Sequence, residues 1–417
     1  MTIPADAWPR REVEPTDLWD WLAFGLAVFI VLIYSQAWIA PLFGMTISES
    51  SSGMIRNIYF PAYAAGIGLL AMAPGATMAA MIRQPFLLLL RGIEAISTLW
   101  SIAPDQTIRR IVAVYATTLC GVVLATRFRW ATMAEVLATA HAVLVIGSIV
   151  WAVLPPHHGI MTELFPGAWR GLWSEKNALG GNMAMAFTIF AAAAMLNPRR
   201  RVLWWIFAGL ALALVLLSTS KTSLVSLILG AGAVGFVWVA RRGPVSGVAA
   251  TWAAVLGALL LAGFLLFASD VFLEILGKDA TLTGRTKIWE AALRQAELRP
   301  WTGYGYSAVW DDKSGWGPLA WITKEAGFKP SHAHNAWLEQ WLGLGYAGVI
   351  VWGLFYLQTM AAAVASVFSR PGAYLALPFL VIYSLLMLTE SVAVTYNDIR
   401  WAIFVALAVK LAWRGRE

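Results

Sequence analysis

Residues 202–240 read VLWWIFAGLALALVLLSTSKTSLVSLILGAGAVGFVWVA, two apolar runs joined by the link Ser218-Thr219-Ser220-Lys221-Thr222. At about 1.5 Å per helical residue, each run is long enough to cross a hydrocarbon core of about 30 Å. The far ends of the pair are basic: Arg199, Arg200 and Arg201 precede the first run, and Arg241 and Arg242 follow the second. Lipid offers no hydrogen bonds to a bare backbone, so runs of this kind cross as helices. The stretch is a helical hairpin whose two open ends share one side of a bilayer.

The same pattern extends over the rest of the chain. Hydrophobic residues fill 59% of the 417 positions and charged residues 13%, whereas a soluble domain is about a quarter charged. Such a chain cannot cover itself with polar surface. About twelve apolar windows centre near residues 30, 65, 93, 117, 143, 187, 210, 231, 258, 350, 382 and 404, each on the order of twenty residues. The third contains Arg91 and Glu94, which are spaced to neutralise one another on one helix face. The expected architecture is all-α and polytopic, one transmembrane domain over 1–417 with about twelve spans. A single large loop over 270–335 interrupts it and holds short helices of its own. The segment from Met1 to Thr16 is polar and the first apolar run exceeds a signal core, so no cleaved leader is expected. The one cysteine, Cys120, falls mid-helix and offers neither a disulfide nor a thiolate metal site. Gly66, Gly68, Gly230, Gly232 and Gly235 are expected at helix-packing positions.

Arginine sets the orientation. Arg127 and Arg129, Arg199 to Arg201, Arg241 and Arg242, and Arg370 all follow even-numbered spans. Arg10 and Arg11 at the start and Arg414 and Arg416 in the tail fall on the same side. The positive-inside rule makes that side, and both termini, cytoplasmic. The net charge of +7 is therefore a topology signal with some attraction to anionic membrane lipid. No nucleic-acid partner is needed to explain it.

Basic residues on the other side work against that rule. They are Arg109 and Arg110, Arg170 and Lys176, Lys221, and, in the long loop, Arg285, Lys287, Arg294 and Arg299. Any one of them can snorkel to a headgroup. A convergent set of cations is what a pyrophosphate-bearing ligand requires. Within the loop, Thr283-Gly284-Arg285-Thr286 opens a helix whose apolar face continues through Trp289, Ala292 and Leu293 toward Leu298. Pro300 ends it, Gly303-Tyr304-Gly305 makes a flexible turn, and Tyr306 to Lys329 reads as irregular. Ser331-His332-Ala333-His334-Asn335 then precedes an apolar helix. At a helix N-terminus the dipole keeps the His334 ring neutral, and a neutral imidazole can take a proton from a hydroxyl. Two other readings compete: a metal held by His332 and His334 with His157 or His158, or a simple helix cap. Glu390 and Asp398 are read as ion-pair partners of Arg400 and its neighbours, with a direct role toward an acceptor as the alternative.

These residues resemble a known family. His334-Asn335, followed by nine residues, Gly345, two more and Gly348, looks like the signature before a late transmembrane helix of the O-antigen ligase and polymerase superfamily. Gly284-Arg285, Trp289, Pro300 and Gly303-Tyr304-Gly305 are similar to that family's large periplasmic loop. Trp169-Arg170-Gly171-Leu172-Trp173, Lys176-Asn177-Ala178-Leu179-Gly180 and Leu99-Trp100-Ser101-Ile102 resemble its exopolysaccharide-polymerase branch.

The resemblance implies an enzyme of the bacterial inner membrane whose active face is periplasmic. Its donor would be a glycan on undecaprenyl pyrophosphate, transferred without metal or other cofactor to an acceptor hydroxyl. Arg285 matches the family's loop arginine that holds the pyrophosphate, and His334 its base. Lys221 stands where the family carries a second arginine; it keeps the charge and loses the bidentate fork, which Arg170 is placed to supply. Asn335 and Tyr304, inside the matched motifs, join Arg170, Lys176 and Lys221 as residues expected to contact substrate. Two acceptors stay open: the lipid A core, for a ligase of lipopolysaccharide biosynthesis, or the next lipid-linked repeat unit, for a polymerase. A transporter or flippase of lipid-linked glycans is the alternative from another class; it predicts polar sites near the bilayer midplane rather than at one face.

Overall fold

A computed structural model describes residues 17–45, 49–163, 165–267 and 285–413. Arg10, Arg11, Arg414, Arg416, Thr283, Gly284 and the start of the long loop lie outside them. Among the described residues the chain is helical, apart from a single bridge between Ile160 and Trp169. The first half contains α1 (Leu18–Tyr34), α2 (Glu49–Ile58), α3 (Phe60–Met72), α4 (Pro74–Ile82), α5 (Pro85–Ile96), α6 (Pro104–Arg127), α7 (Trp130–Val153) and α8 (Lys176–Leu196). The second contains α9 (Arg201–Leu217), α10 (Lys221–Ala240), α11 (Pro244–Phe267), α12 (Arg285–Leu298), α13 (Pro318–Ala326), α14 (Ala336–Ser366), α15 (Ala373–Thr389) and α16 (Ile399–Ala412). Proline opens α4, α5, α6 and α13, a position where its missing N–H leaves nothing unpaired.

Among the described residues, six helices are long and apolar enough to cross a bilayer, and a seventh crossing is formed if the pair 52–72 and 74–82, bent by 98°, counts as one broken span. Every one of the twelve apolar windows is helical, but α5 has only 12 residues, about 18 Å of helix. Its Arg91 and Glu94 are buried against each other at 2.6 Å, as their spacing predicts. Arg91 also donates to Thr118 Oγ1 at 3.2 Å.

Small residues let the helices close in. The central helix α8 buries Gly180, Gly181, Ala184, Ala186 and Ala191 to Ala194. A Cβ on Gly180 would come within 2.5 Å of Ser223 Oγ on α10, and one on Gly230 within 2.5 Å of Ile382 on α15. Gly66 meets Cys120 in the same way, whereas Gly68, Gly232 and Gly235 face open space. The last three are therefore not packing positions within this chain.

One end of the bundle is fastened by its basic residues. Arg241 donates to the carbonyls of Val367 (3.0 Å) and Arg370 (2.7 Å), and Arg370 to that of Leu411 (2.6 Å). Lys410 reaches the carbonyls of Ala125 (3.1 Å) and Phe128 (2.5 Å). Glu135 accepts from Asn197 (2.6 Å), Trp204 (2.8 Å) and Arg200 (3.3 Å). Cations on the last carbonyls of helices satisfy acceptors that the helices themselves leave open.

The opposite end holds the loop. Helix α14 has 31 residues, about 46 Å, far more than a bilayer of about 30 Å needs. It breaks at Gly345, where φ is 65° and ψ −163°. The chain from Pro300 to Gly305 seats against this break: Tyr304 N donates to Leu342 O (2.8 Å), Gly305 N to Gly343 O (2.9 Å) and Tyr346 N to Pro300 O (2.7 Å). A Cβ on Gly345 would lie 2.2 Å from the Trp301 carbonyl carbon, and one on Gly303 2.6 Å from Gly343. The Gly-Tyr-Gly turn is thus a locked backbone contact rather than a flexible one. Gly345→Ala is expected to lose about 1–3 kcal/mol from the backbone conformation alone and more from the clash. Gly232→Ala, with open space around it, should gain up to about 1 kcal/mol of helix propensity. Thermal melts of both variants in one detergent check the contrast.

Candidate functional site

Helix α12 begins at Arg285 and buries Ile288, Ala291, Ala292, Gln295 and Ala296. Leu293, expected on that face, is exposed, because the stripe runs one residue earlier around the helix. Trp289 donates from Nε1 to Ala333 O at 2.8 Å, which ties the helix to the histidine segment. The stretch expected to be irregular contains α13, bounded by Pro318 and by Gly327 at φ 82°. Both boundary signals, a proline start and a glycine stop, were in the sequence.

Helix α14 starts at Ala336, and its N-cap is Asn335, whose Oδ1 accepts from Trp337 N (3.0 Å) and Leu338 N (3.1 Å). Asn335, not His334, is therefore the cap. This frees the His334 ring, which a left-handed backbone (φ 52°) turns out of the helix. Its Nδ1 lies 3.2 Å from Glu390 Oε2, and Arg285 Nη2 lies 2.9 Å from Glu390 Oε1. One carboxylate thus joins the two residues on which the sequence centred the chemistry. Asp398 pairs with Arg400 as expected. The ion-pair partner of Glu390 is Arg285 rather than Arg400.

Glu339, in the first turn of α14, holds the segment in place. It accepts from Ala333 N (2.6 Å), Trp310 Nε1 (2.7 Å) and Ser391 Oγ (2.9 Å). The rings of His332 and His334 are 3.9 Å apart, and His334 N donates to His332 Nδ1 at 3.3 Å. Burial, reinforced by the neighbouring His334, lowers the His332 pKa to about 4, so that ring is neutral at ordinary pH. Burial alone would raise the Glu390 carboxyl; the hydrogen bond from His334 and the charge of Arg285 outweigh it and bring it to about 2. Glu390 is therefore an anion throughout the physiological range.

Glu390, His332 and Glu339 line a cavity of about 310 Å³ whose wall also includes Arg110, Tyr306, Tyr396 and Arg400; His334 and Arg285 stand behind Glu390 and are not part of that wall. Arg110 sits on the Ser307 carbonyl and Asp311. Tyr306 Oη donates to Val394 O at 2.6 Å.

The remaining expected contact residues fall elsewhere. Tyr304 is 5% exposed; its hydroxyl donates to Gln295 O at 3.0 Å, so it closes the loop core. Arg170 donates to the carbonyls of His158 (2.7 Å) and His157 (3.1 Å). Lys176 opens α8, with its ammonium 3.6 Å from the Phe165 ring centre and 3.5 Å from Thr219 Oγ1. Lys221 opens α10, where Ser220 caps the helix and donates to Asn177 Oδ1 at 2.8 Å. The two lysines thus stand at neighbouring helix N-termini, where helix dipoles favour an anion. A chain of contacts joins this group to the cavity: Trp173 Nε1 to Ser35 O (3.0 Å), then Gln36 Nε2 to Asn397 O (2.9 Å).

Backbone strain marks the same region. Among the described residues, the non-glycine positions with positive φ are Gln36, Thr219, Ser307, His334, Val394 and Asn397. Each lies on the cavity wall, next to it, or in the Lys221 link. Left-handed backbone costs a non-glycine residue about 1–3 kcal/mol and concentrates at functional sites.

Glu339 and the role of Glu390 were not legible in the sequence. Glu390 is 56 positions from His334, and no motif links them. For Glu339 a signal existed, an acidic residue in the first turn of a helix.

The fold and site define a multi-pass membrane protein with a cation-rich polar centre at one end of its bundle. The sequence profile of the O-antigen ligase family matches residues 206–353, a span that holds Lys221, Arg285, Tyr304, His334 and Asn335 but not Glu390. The exopolysaccharide production protein ExoQ of Rhizobium meliloti (strain 1021) is 27% identical over 271 residues. That match covers 61% of this chain and 60% of the relative. The chain is thus similar, over these stretches, to proteins of the O-antigen ligase and exopolysaccharide production type.

Replacing Glu339 with Ala strands three donors in a half-buried segment, at about 1–3 kcal/mol for each unpaired group. Glu339→Ala should therefore melt below wild type, while Glu339→Gln, which keeps an acceptor, should fall between them. Equal melting temperatures for wild type and Glu339→Ala would remove Glu339 as the anchor.

Proposed function

We propose that the chain is a glycosyltransferase of the bacterial inner membrane with about twelve spans, its site on the periplasmic face and its termini in the cytoplasm. It takes a glycan from undecaprenyl pyrophosphate and passes it to an acceptor hydroxyl. The observation that carries the reading is the His334–Glu390–Arg285 group beside a polar cavity at the end of the bundle away from the arginine-fastened one. A transporter of the same lipid-linked glycan is less well supported, since its polar site belongs near the midplane.

The geometry suits a direct displacement. With Nδ1–H of His334 donated to the Glu390 carboxylate, the lone pair rests on Nε2, where it can accept the acceptor's proton. Glu390 is a positioning residue that fixes this tautomer and steadies the imidazolium that forms. The sugar–phosphate bond breaks as the new glycosidic bond forms, so the anomeric centre inverts. The pyrophosphate leaves with its electron pair, and its growing charge needs cations rather than an acid. Arg285 spends one N–H on Glu390 and keeps others for a phosphate oxygen. Lys176 and Lys221 add two ammonium groups at helix N-termini, and Arg170 flanks them. Asn335 and Tyr304 serve by holding the segment, through cap and loop core.

Of the two acceptors, the lipid-linked repeat unit is favoured, which makes the protein a polymerase. The support is the likeness to an exopolysaccharide production protein together with the polymerase-like segments around Trp100 and Arg170. The ligase reading keeps the family profile's own description in its favour. Purified protein in lipid, given only a lipid-linked repeat unit, should produce a ladder on a gel. Transfer solely after lipid A core is added would make it a ligase.

His334→Ala should stop transfer while the protein still melts cooperatively. Glu390→Gln should lower kcat by about 100-fold or more, within the range a positioned base contributes, with little change in donor KM. Arg285→Ala should raise donor KM, and Arg285→Lys should recover part of the loss. Full activity in His334→Ala would sink the base assignment.

A further inference from the structure

His332, His334 and Glu390 form a group whose function in transfer uses only two of its members. One ligand atom from each lies within 4.8 Å of the other two. Tetrahedral zinc, with bonds of about 2.0–2.2 Å, sets its ligand atoms about 3.3–3.6 Å apart. The His334 Nδ1 to Glu390 Oε2 distance of 3.2 Å already matches one edge of that tetrahedron. His332 needs to close by on the order of 1 Å, a rotation opposed only by its long contacts to His334 N (3.3 Å) and Ser391 Oγ (3.5 Å). Two imidazoles and one carboxylate are a donor set that suits zinc-class ions.

The surroundings supply what metal ligands need behind them. Arg285 holds the other oxygen of Glu390 at 2.9 Å, which leaves Oε2 pointed at the gap. Ser391 Oγ lies 3.5 Å from His332 Nδ1. Partners of this kind orient first ligands. Two of the three residues, His332 and Glu390, line the cavity, and a fourth ligand would enter from that side.

We infer that the His332–His334–Glu390 group is an inhibitory binding site for a divalent cation of the zinc class. Its effect follows from the two ring nitrogens. A metal on Nδ1 of His334 displaces the proton held toward Glu390. The neutral ring must then carry that proton on Nε2, the atom that would receive the acceptor's proton. The ion therefore locks the base in its unreactive tautomer while occupying the carboxylate that fixed the reactive one. The binding half of this inference stands on geometry alone; the inhibitory half rests on the proposed role of His334.

The test uses full-length protein in detergent with zinc chloride and a chromophoric chelator in competition. Wild type should hold one zinc per chain, and His332→Ala and His332→Gln should each weaken it by at least about 100-fold, since even residues behind metal ligands are worth 10- to 100-fold. The double variant His157→Ala/His158→Ala should bind as wild type does. In the ladder assay, zinc should inhibit wild type reversibly on addition of EDTA, and each His332 variant should be less sensitive relative to its own zinc-free rate. No zinc above one buffer-exchange background, equal binding in both His332 variants, or loss of binding in the His157/His158 variant overturns the site. Zinc bound at His332 in a protein that makes no product under any condition overturns the transferase reading and leaves the metal site standing. Bound zinc with undiminished activity overturns the inhibitory half.

Discussion

Lipid cannot hydrogen-bond a peptide group, and this single constraint arranges everything else in the molecule. It makes the spanning segments helical, and it drives irregular backbone to the ends of the bundle or into protein-lined space. The strained residues obey it: the left-handed positions of His334, Val394 and Asn397 sit between helix ends, not within spans. Their polar groups are met by protein. Val394 O takes the Tyr306 hydroxyl, Asn397 O takes Gln36, and Ala333 N finds Glu339. A membrane protein of this build can afford unusual backbone in few places, and here those places surround one cavity.

The carboxylates at that end divide their work by partner. Glu339 accepts from a backbone amide, an indole and a hydroxyl, all neutral donors, and so serves the shape of the segment. Glu390 is held by a guanidinium and an imidazole, and so serves the charge state of a ring. Asp398 caps α16 and chelates Arg400. Three acids close together in space thus avoid competing for the same cation.

Much of this was visible in the sequence, and the limits of what was visible follow from range. Hydropathy and arginine placement work through local composition, and they located every apolar window that became a helix. His334 and Arg285 stood out because each contradicts its neighbourhood: a histidine before an apolar helix, an arginine in a loop on the less basic side. Glu390 looked like an ordinary helix-end acid, since its partners arrive from two other elements. Tyr304 and Asn335 belonged to recognisable motifs, yet motif membership does not separate a residue that touches substrate from one that holds the motif together. Within the chain, their hydrogen bonds are with Gln295 and the first turn of α14. The short helix at Pro318 was missed despite its proline and glycine, because the tryptophans and glycines around it masked its brevity.

The break at Gly345 divides α14 into two bodies with different allegiances. The part from residue 346 onward answers to the bilayer, where a change of hydrocarbon thickness is met by tilting, kinking or local deformation of the lipid. The part before it, with Asn335 as its cap and Pro300 to Gly305 wrapped against its end, belongs to the loop. A rigid rod through both would swing His334 each time the membrane thickened or thinned. Interrupted and clamped as it is, with Leu342 O and Gly343 O held before the break and Tyr346 N held after it, the rod becomes a braced elbow whose two arms are both tied to the loop that carries the histidine.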